Sequence, residues 1–430
     1  MLETQSPVTD ATNALIAGAT PPSETADQLV ARAKSASLAD GGLQTSELLE
    51  AALAQDPLHH EAQILRERLY QTFVPRWHFP MLADQARNEA YAAAIAAKVR
   101  PGDIVLDIGC GAGLTAMLAA RAGARHVYTC EQQPLIAQAA RQVIADNGLS
   151  DRITVINKWS HDIVLGQDMP GPADVVISEI VDTVLLGEGA LATLTHAMAA
   201  LAKPAARAIP ESGRLLAQPI EAPHLAQQWQ PPVAEGFDLR AFHRFANVAQ
   251  LTPGEFEASP PRSLGLGQPL FTFDFTRPSI EPAAKAATLT CNMPGTAHAV
   301  LVTFDMQLAP GISVNNSIAS DGHWGRTAFL LDSPRRVTPG AELAVLAQHD
   351  AAELSLTIAP APAETTAEAA LPAQPGLAEP GAVWLAPQWS VPAHEQDAAL
   401  SQDTTEPQDT ADFWTPTAPP PHGLPPAAVH

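Results

Sequence analysis

Between residues 98 and 205, short apolar runs alternate with helical stretches, and this alternation constrains the fold more than any other feature. "DIVLDIG" (103–109), "HVYTCE" (126–131), "ITVIN" (153–157) and "ADVVISE" (173–179) read as strands. "LTAMLAARAG" and "QPLIAQAARQVIADNG" separate the first three, and "GALATLTHAMAALA" follows the fourth. Strand–helix alternation predicts an α/β fold with a parallel sheet covered on both faces. Open parallel sheets bind ligands at the carboxyl ends of their strands. Asp107, Glu131 and Glu179 stand at or near three such ends.

The flanking stretches differ in pattern. Residues 1–24 are rich in Ser, Thr, Pro and Ala and are expected to be disordered. Residues 25–72 read as helices: "TSELLEAALAQ" places Leu48, Leu49, Ala52 and Leu53 on one face, and "DPLHHEAQILRERLY" offers Asp56 as an N-cap and Pro57 at the first helical position. This pattern resembles about one tetratricopeptide repeat, which would have to pack on the next domain because one repeat cannot bury its own face. Beyond residue 205 the period changes to two. "RLLAQPI", "PLFTFDF", "HAVLVTFDMQL", "TAFLL", "ELAVLAQ" and "ELSLTIA" predict an antiparallel barrel or sandwich to about residue 360, with "GFDLRAFHRFANVAQ" (236–250) as a helical insertion. Residues 361–430 carry 13 prolines and nine acids without Lys or Arg, a composition expected to stay disordered.

A formal charge of −22 argues against nucleic-acid binding, which needs a basic footprint. It suits basic partners such as arginine-rich segments, and equally serves solubility alone. Cys110, Cys130 and Cys291 are odd in number, widely spaced and without a CxxC, so they read as free thiols in a reducing compartment, and no metal is expected. No signal peptide opens the sequence and no charge-free apolar run reaches the roughly 20 residues that span a bilayer. The expectation is a cytoplasmic protein without a membrane role.

Two motifs carry chemistry. In "VLDIGCGAGL", Gly109, Gly111 and Gly113 follow a strand and open a helix, allowing a tight turn and close backbone approach of a ligand. The GxGxG spacing differs from the dinucleotide fingerprint and no lysine follows, so a P-loop is excluded. With Glu131 at the next strand end, able to accept both hydroxyls of a ribose, the pattern fits an adenosine nucleoside. In "SEIVDTVLLGEG" (178–189), Glu179 and Glu188 lie nine residues apart in an apolar segment without Lys or Arg. Buried like charges are costly unless a cation joins them. A planar guanidinium with five donors suits two carboxylates facing one cavity.

At these residues the chain resembles class I S-adenosylmethionine methyltransferases through "VLDIGCGAG", and protein arginine methyltransferases through "SEIVDTVLLGEG". "PMLADQARNEAY" resembles that family's cofactor-covering helix, and "HWGRTAFLL" its Thr-His-Trp loop with Gly322 in place of Thr. The resemblance spans residues 76–358. It implies a Rossmann-like cofactor domain (76–205), a β-barrel substrate domain (206–360), S-adenosylmethionine as methyl donor and arginine-containing proteins as acceptors. It also implies that Arg87 meets the cofactor carboxylate, Glu131 the ribose and Ser160 in "NKWSHD" the adenine region. Glu179 and Glu188 would hold the guanidinium, and Asp84 would meet His323 above the acceptor pocket, raising the histidine pKa. Asp182, Gly187 and Gly189 resemble the monomethylating branch, and the 236–250 insertion resembles a dimerisation arm, implying a homodimer. The family's tyrosine-rich N-terminal motif is missing. Two alternatives stay open: a methyltransferase acting on lysine, ribosomal protein or a small molecule, and a non-catalytic scaffold.

Overall fold

The structure, a computed structural model, describes residues 24–360; the stretches 1–23 and 361–430, for which disorder was expected, lie outside the described residues. Three helices come first: α1 (Ala26–Ser35), α2 (Leu43–Gln55) and α3 (His60–Phe73). Their apolar faces enclose a small core of Leu29, Val30, Leu49, Ala52, Leu53, Leu65 and Leu69, which Leu135 joins from the following domain. The DP signal is displaced. Asp56 ends α2, and its carboxylate accepts from the Leu58 amide at 3.0 Å, forming a local turn that delays α3 until His60.

The cover segment is also divided. Helix α4 (His78–Ala83) stops at Asp84, whose backbone is extended, and α5 (Gln85–Lys98) begins there with the Asp84 carboxylate capping the Arg87 amide at 2.9 Å. One polar residue thus breaks and restarts the helix. The parallel strands follow: β1 (Ile104–Ile108), β2 (His126–Cys130), β3 (Ile153–Ile156), β4 (Ala173–Ser178) and β5 (Ala202–Ile209), in spatial order β3-β2-β1-β4-β5. Helices α6 (Leu114–Arg121), α7 (Pro134–Asp146) and α8 (Ala190–His196) connect them. The chain builds outward from β1 through β2 to β3, then crosses to β4, so the strand order reverses between β1 and β4. A crevice opens at such a reversal, at the carboxyl ends.

The antiparallel region starts at β6 (Ser212–Glu221), followed by helix α9 (Pro223–Trp229) and a small hairpin, β7 (Val233–Ala234) and β8 (Phe237–Asp238). The 236–250 insertion is helical only over Arg240–Phe245, as a 3-10 turn; Val248–Leu251 forms strand β9. The period-two run Val248, Ala249, Gln250, Leu251 explains the difference, since Ala249 and Leu251 are buried while their neighbours face outward. After helix α10 (Pro253–Ala258) come β10 (Arg262–Ser263), β11 (Gln268–Asp274), β12 (Ala283–Thr290), β13 (Gly295–Ala309), β14 (Ile312–Asn315), β15 (Arg326–Val337), β16 (Glu342–His349) and β17 (Leu354–Ile358). They form a seven-stranded sheet on the path β10-β6-β13-β15-β9 and a three-stranded sheet β12-β16-β17. One continuous core joins Val105, Leu106 and Ile177 of the parallel sheet to Val300, Phe304 and Leu331 of the antiparallel region. The loop carrying Glu179 and Glu188 runs between the two.

Candidate active site

The glycine turn is shaped for close approach. Gly109, Gly111 and Gly113 all have positive φ (82°, 49° and 82°), a region other residues enter at a cost. A Cβ on Gly109 would stand 2.7 Å from Ile180 Cγ2, so this glycine lets β1 close on the residue after Glu179. Next to the turn, Glu131 accepts from the Gly111 amide (3.1 Å) and the Gln133 amide (3.0 Å). Burial pushes its carboxyl above the ordinary range, against those hydrogen bonds. Asp107, 1% exposed, accepts from Thr129 Oγ1 at 2.6 Å while its Oδ1 has no partner, and burial pushes it up to about 6. Ser160 is 2% exposed with its Oγ also without a partner. Partnerless buried polar atoms around a glycine cradle fit a polar ligand.

Arg87 points across the crevice. Its guanidinium, 4% exposed, lies 5.0 Å over the Tyr91 ring and donates to Glu179 Oε2 at 2.5 Å and to Asn88 Oδ1 at 2.8 Å; its Nε has no hydrogen-bond partner. The structure therefore brings Arg87 onto Glu179, a pairing absent from the expectation that set Arg87 against a cofactor carboxylate. Tyr91 supports this corner by donating to the Ser178 carbonyl at 3.1 Å. Burial pushes the Glu179 carboxyl up, and the Arg87 charge opposes that.

Glu188 reaches the same place by an irregular loop rather than a β-ladder. Asp182 Oδ1 accepts from the Val184 and Leu186 amides (3.0 and 3.1 Å), folding the loop over, and Glu188 sits in left-handed backbone with φ 59° and ψ 17°. Gly187 has no room for a side chain: its Cβ would stand 2.6 Å from Asp182 Cγ. Glu188 is exposed, yet desolvation by its surroundings, then the charges of Glu179, Asp182 and Glu131, push its carboxyl up to about 7. The cleft thus gathers carboxylates in excess of its cation, Arg87.

Asp84 and His323, 239 residues apart, do meet. Asp84 Oδ2 accepts from both the amide and Nδ1 of His323 at 2.9 Å, and the two side chains keep 7% and 8% of their surface exposed. Gly322 packs closely beside this pair, since a Cβ there would stand 3.0 Å from Asp84 Oδ2. The expected rise in the histidine pKa is not found. Burial lowers the His323 pKa, and the Asp84 hydrogen bond only partly opposes it. For Asp84, burial would raise the carboxyl, but the bonds from Arg87 and His323 outweigh it and hold it low. A neutral imidazole donating Nδ1–H to a carboxylate satisfies both groups.

A family model described as "Ribosomal protein L11 methyltransferase (PrmA)" matches residues 91–220. An "Arginine N(omega)-methyltransferase" of Streptomyces achromogenes subsp. streptozoticus is 39% identical over 285 residues, covering 66% of this chain and 77% of that one. The chain belongs to the arginine N-methyltransferase family. A "Protein arginine N-methyltransferase 7" of Danio rerio is 31% identical over 300 residues, and the match covers 63% of this chain but only 44% of that longer protein. Among solved structures, the Trypanosoma brucei PRMT1 enzyme-prozyme heterotetrameric complex with AdoHcy matches with a TM-score of 0.56 at 25% identity, over 63% of this chain and 86% of that one. Arabidopsis thaliana protein arginine methyltransferase 10 shares the fold at a TM-score of 0.56 and 23% identity, over 68% of this chain and 95% of that one.

In this family member some site residues escaped the sequence reading. His78 lies over the glycine turn, its Cδ2 3.8 Å from the Cβ position of Gly111, with Trp77 stacked on it at 4.0 Å. The adjacent aromatic pair in "RWHFP" was the available signal. Asn316, just past β14, and Arg326, the first residue of β15, are buried in the antiparallel region and had none, because a polar residue at a strand end reads as part of a loop. The three cysteines are free and buried, as expected of unpaired thiols. Among the described residues no group of His, Cys, Asp or Glu could hold a metal ion, and no helix is long and apolar enough to cross a membrane.

Proposed function

We propose that this chain transfers one methyl group from S-adenosylmethionine to a guanidinium nitrogen of arginine in protein substrates. The observation that carries the reading is the pair Glu179 and Glu188, brought from the two arms of one loop into one acidic cleft beside the glycine cradle. S-adenosylmethionine, when bound, supplies an electrophilic methyl group. Glu131 would accept the two ribose hydroxyls, Ser160, whose Oγ has no partner, would meet the adenine from within its segment, and Arg87 Nε would remain for a carboxylate. Glu179 and Glu188 would hold the planar cation and orient one terminal nitrogen toward the methyl group. Arginine is too weakly acidic to lose its proton first; the carboxylates stabilise the charge while methyl transfer makes the nitrogen acidic, and one of them accepts the proton.

The resemblance of "EIVDTVLLGEG" to the monomethylating branch supports a single transfer. The exposed Phe237, Phe242 and Phe245 of the insertion (73%, 72% and 72% exposed) support a homodimer joined through it. A second acceptor is favoured by one observation: the Streptomyces relative is named for arginine, the Danio rerio relative for protein arginine. Labelled S-adenosylmethionine, offered with an arginine peptide and with free arginine, followed by acid hydrolysis and amino-acid analysis, tests all of this. Monomethylarginine from the peptide is expected. Label on lysine, or on neither acceptor, would overturn the reading, and label on free arginine alone would replace the acceptor.

A further inference from the structure

Behind the Glu179–Glu188 loop lies a polar cluster that methyl transfer itself does not use. Asn316 is 1% exposed, and its amide bonds to the backbone of three separate segments. Oδ1 accepts from the Phe304 amide of β13 at 2.5 Å. Nδ2 donates to the Gly325 carbonyl, at the end of the His323 loop, at 2.9 Å, and to the Thr183 carbonyl, inside the glutamate loop, at 3.1 Å. Thr327 makes a second tie to the same point: its Oγ1 lies 2.7 Å from Thr183 Oγ1 and donates to Gln250 Oε1 at 3.0 Å.

Arg326 completes the cluster. It is 1% exposed, lies 4.4 Å over the Phe256 ring, and donates to the carbonyls of Asn316 (3.2 Å), Trp324 (3.1 Å), Ser317 (3.2 Å) and Ser320. A buried cation is costly unless its donors are met. Here the carbonyls of residues 316–324 meet them, so the His323 loop must curl around the guanidinium to keep it satisfied. That loop is then tied to the glutamate loop by Asn316 and Thr327.

We propose that Asn316 and Thr327 are positioning residues for methyl transfer, fixing the Glu179–Glu188 loop in register with the His323 loop that Arg326 holds in shape. This rests on the reading of the two glutamates as the acceptor clamp. Such a clamp is sensitive to displacement, because errors of about 1 Å in a reacting geometry can cost about 100-fold in rate.

Two near-isosteric variants test it. Asn316→Asp keeps the acceptor for Phe304 but turns both donors into an oxygen facing two carbonyls, and Thr327→Val removes one hydroxyl. Three quantities are read: affinity for S-adenosylhomocysteine by calorimetry, kcat and KM on an arginine peptide, and titration of the His323 ring by NMR. Cofactor-product affinity is expected to stay within about twofold, while kcat falls by about tenfold or more in Asn316→Asp and about threefold in Thr327→Val. The His323 ring should titrate closer to an ordinary histidine in Asn316→Asp as its loop loosens. Unchanged kcat in Thr327→Val, or cofactor affinity falling in step with kcat, overturns the proposal, and Thr327→Val still decides if Asn316→Asp does not fold. A parent chain inactive on arginine overturns the acceptor reading and this proposal with it, whereas an active parent with kcat unchanged in Thr327→Val overturns this proposal alone.

Discussion

Glu188 occupies left-handed backbone with φ 59°, a conformation that costs a non-glycine residue about 1–2 kcal/mol. The Asp182 hydrogen bonds and the close packing at Gly187 offset that cost and fix the backbone that carries the carboxylate. Its raised pKa, about 7, has two consequences of opposite sign. On the proposed reading acceptor capture needs the ionised form, so kcat/KM for an arginine peptide should rise with pH and level off above that value, and Glu188→Gln should flatten this limb while cutting kcat by about 100-fold. Stability runs the other way. A carboxyl whose folded pKa is raised favours the fold while protonated, and that contribution disappears as pH rises through the folded pKa. Thermal melts at pH 8 should therefore show Glu188→Gln more stable than the parent. Equal melting temperatures together with an unaltered pH profile would mean that Glu188 does not titrate there.

At the scale of elements, Asp84 joins two functions usually separate. One oxygen starts α5 by capping the Arg87 amide, and the other holds the His323 loop. A double-mutant cycle of Asp84→Asn and His323→Gln, read as turnover, should give a coupling of about 0.5–3 kcal/mol. Additive losses would leave Asp84 as a cap alone. Gly187→Ala tests the glutamate loop in the same way: the new methyl displaces Asp182, so turnover should drop several-fold while cofactor-product affinity, measured by calorimetry, holds. These contacts show what the sequence could and could not carry. The β1 and β4 strands, the glycine turn and the two glutamates were legible because period, spacing and charge are local signals. The meeting of Asp84 with His323 was legible only through the family resemblance. The direction of the histidine shift was not, because it depends on burial from several elements at once. Nor was the Asn316–Arg326 cluster, whose hydrogen-bond partners are backbone groups that any sequence would supply.

At the scale of the whole molecule, several exposed apolar side chains of the described residues gather on the stretch 233–248, which overlaps the insertion. Phe237, Phe242 and Phe245 are 73%, 72% and 72% exposed, with Val233 at 51%, and Arg240 and Arg244 stand among them. Phe242 packs edge-on against Phe245 at 5.3 Å, and Arg244 lies 5.7 Å from the Phe245 ring centroid, so the turn presents a preformed aromatic cluster. Interfaces favour aromatic residues and arginine at their centres, and an overall charge of −22 offers acidic surface for those arginines to meet. A second copy seated on this turn would bury the cluster. The insertion is tied back to the active-site side of the fold by β9, whose Gln250 accepts from Thr327, the residue that also reaches Thr183 in the glutamate loop. Loosening the insertion should therefore be felt in turnover. Phe242→Glu with Phe245→Glu places two charges in the cluster without touching β9, so the melting temperature of the core should change little. Light scattering should show the parent as a dimer and the double variant as a monomer, with turnover reduced in proportion to the monomer fraction at each concentration. A parent already monomeric at micromolar concentration, or a double variant that stays dimeric, would rule out assembly through this turn.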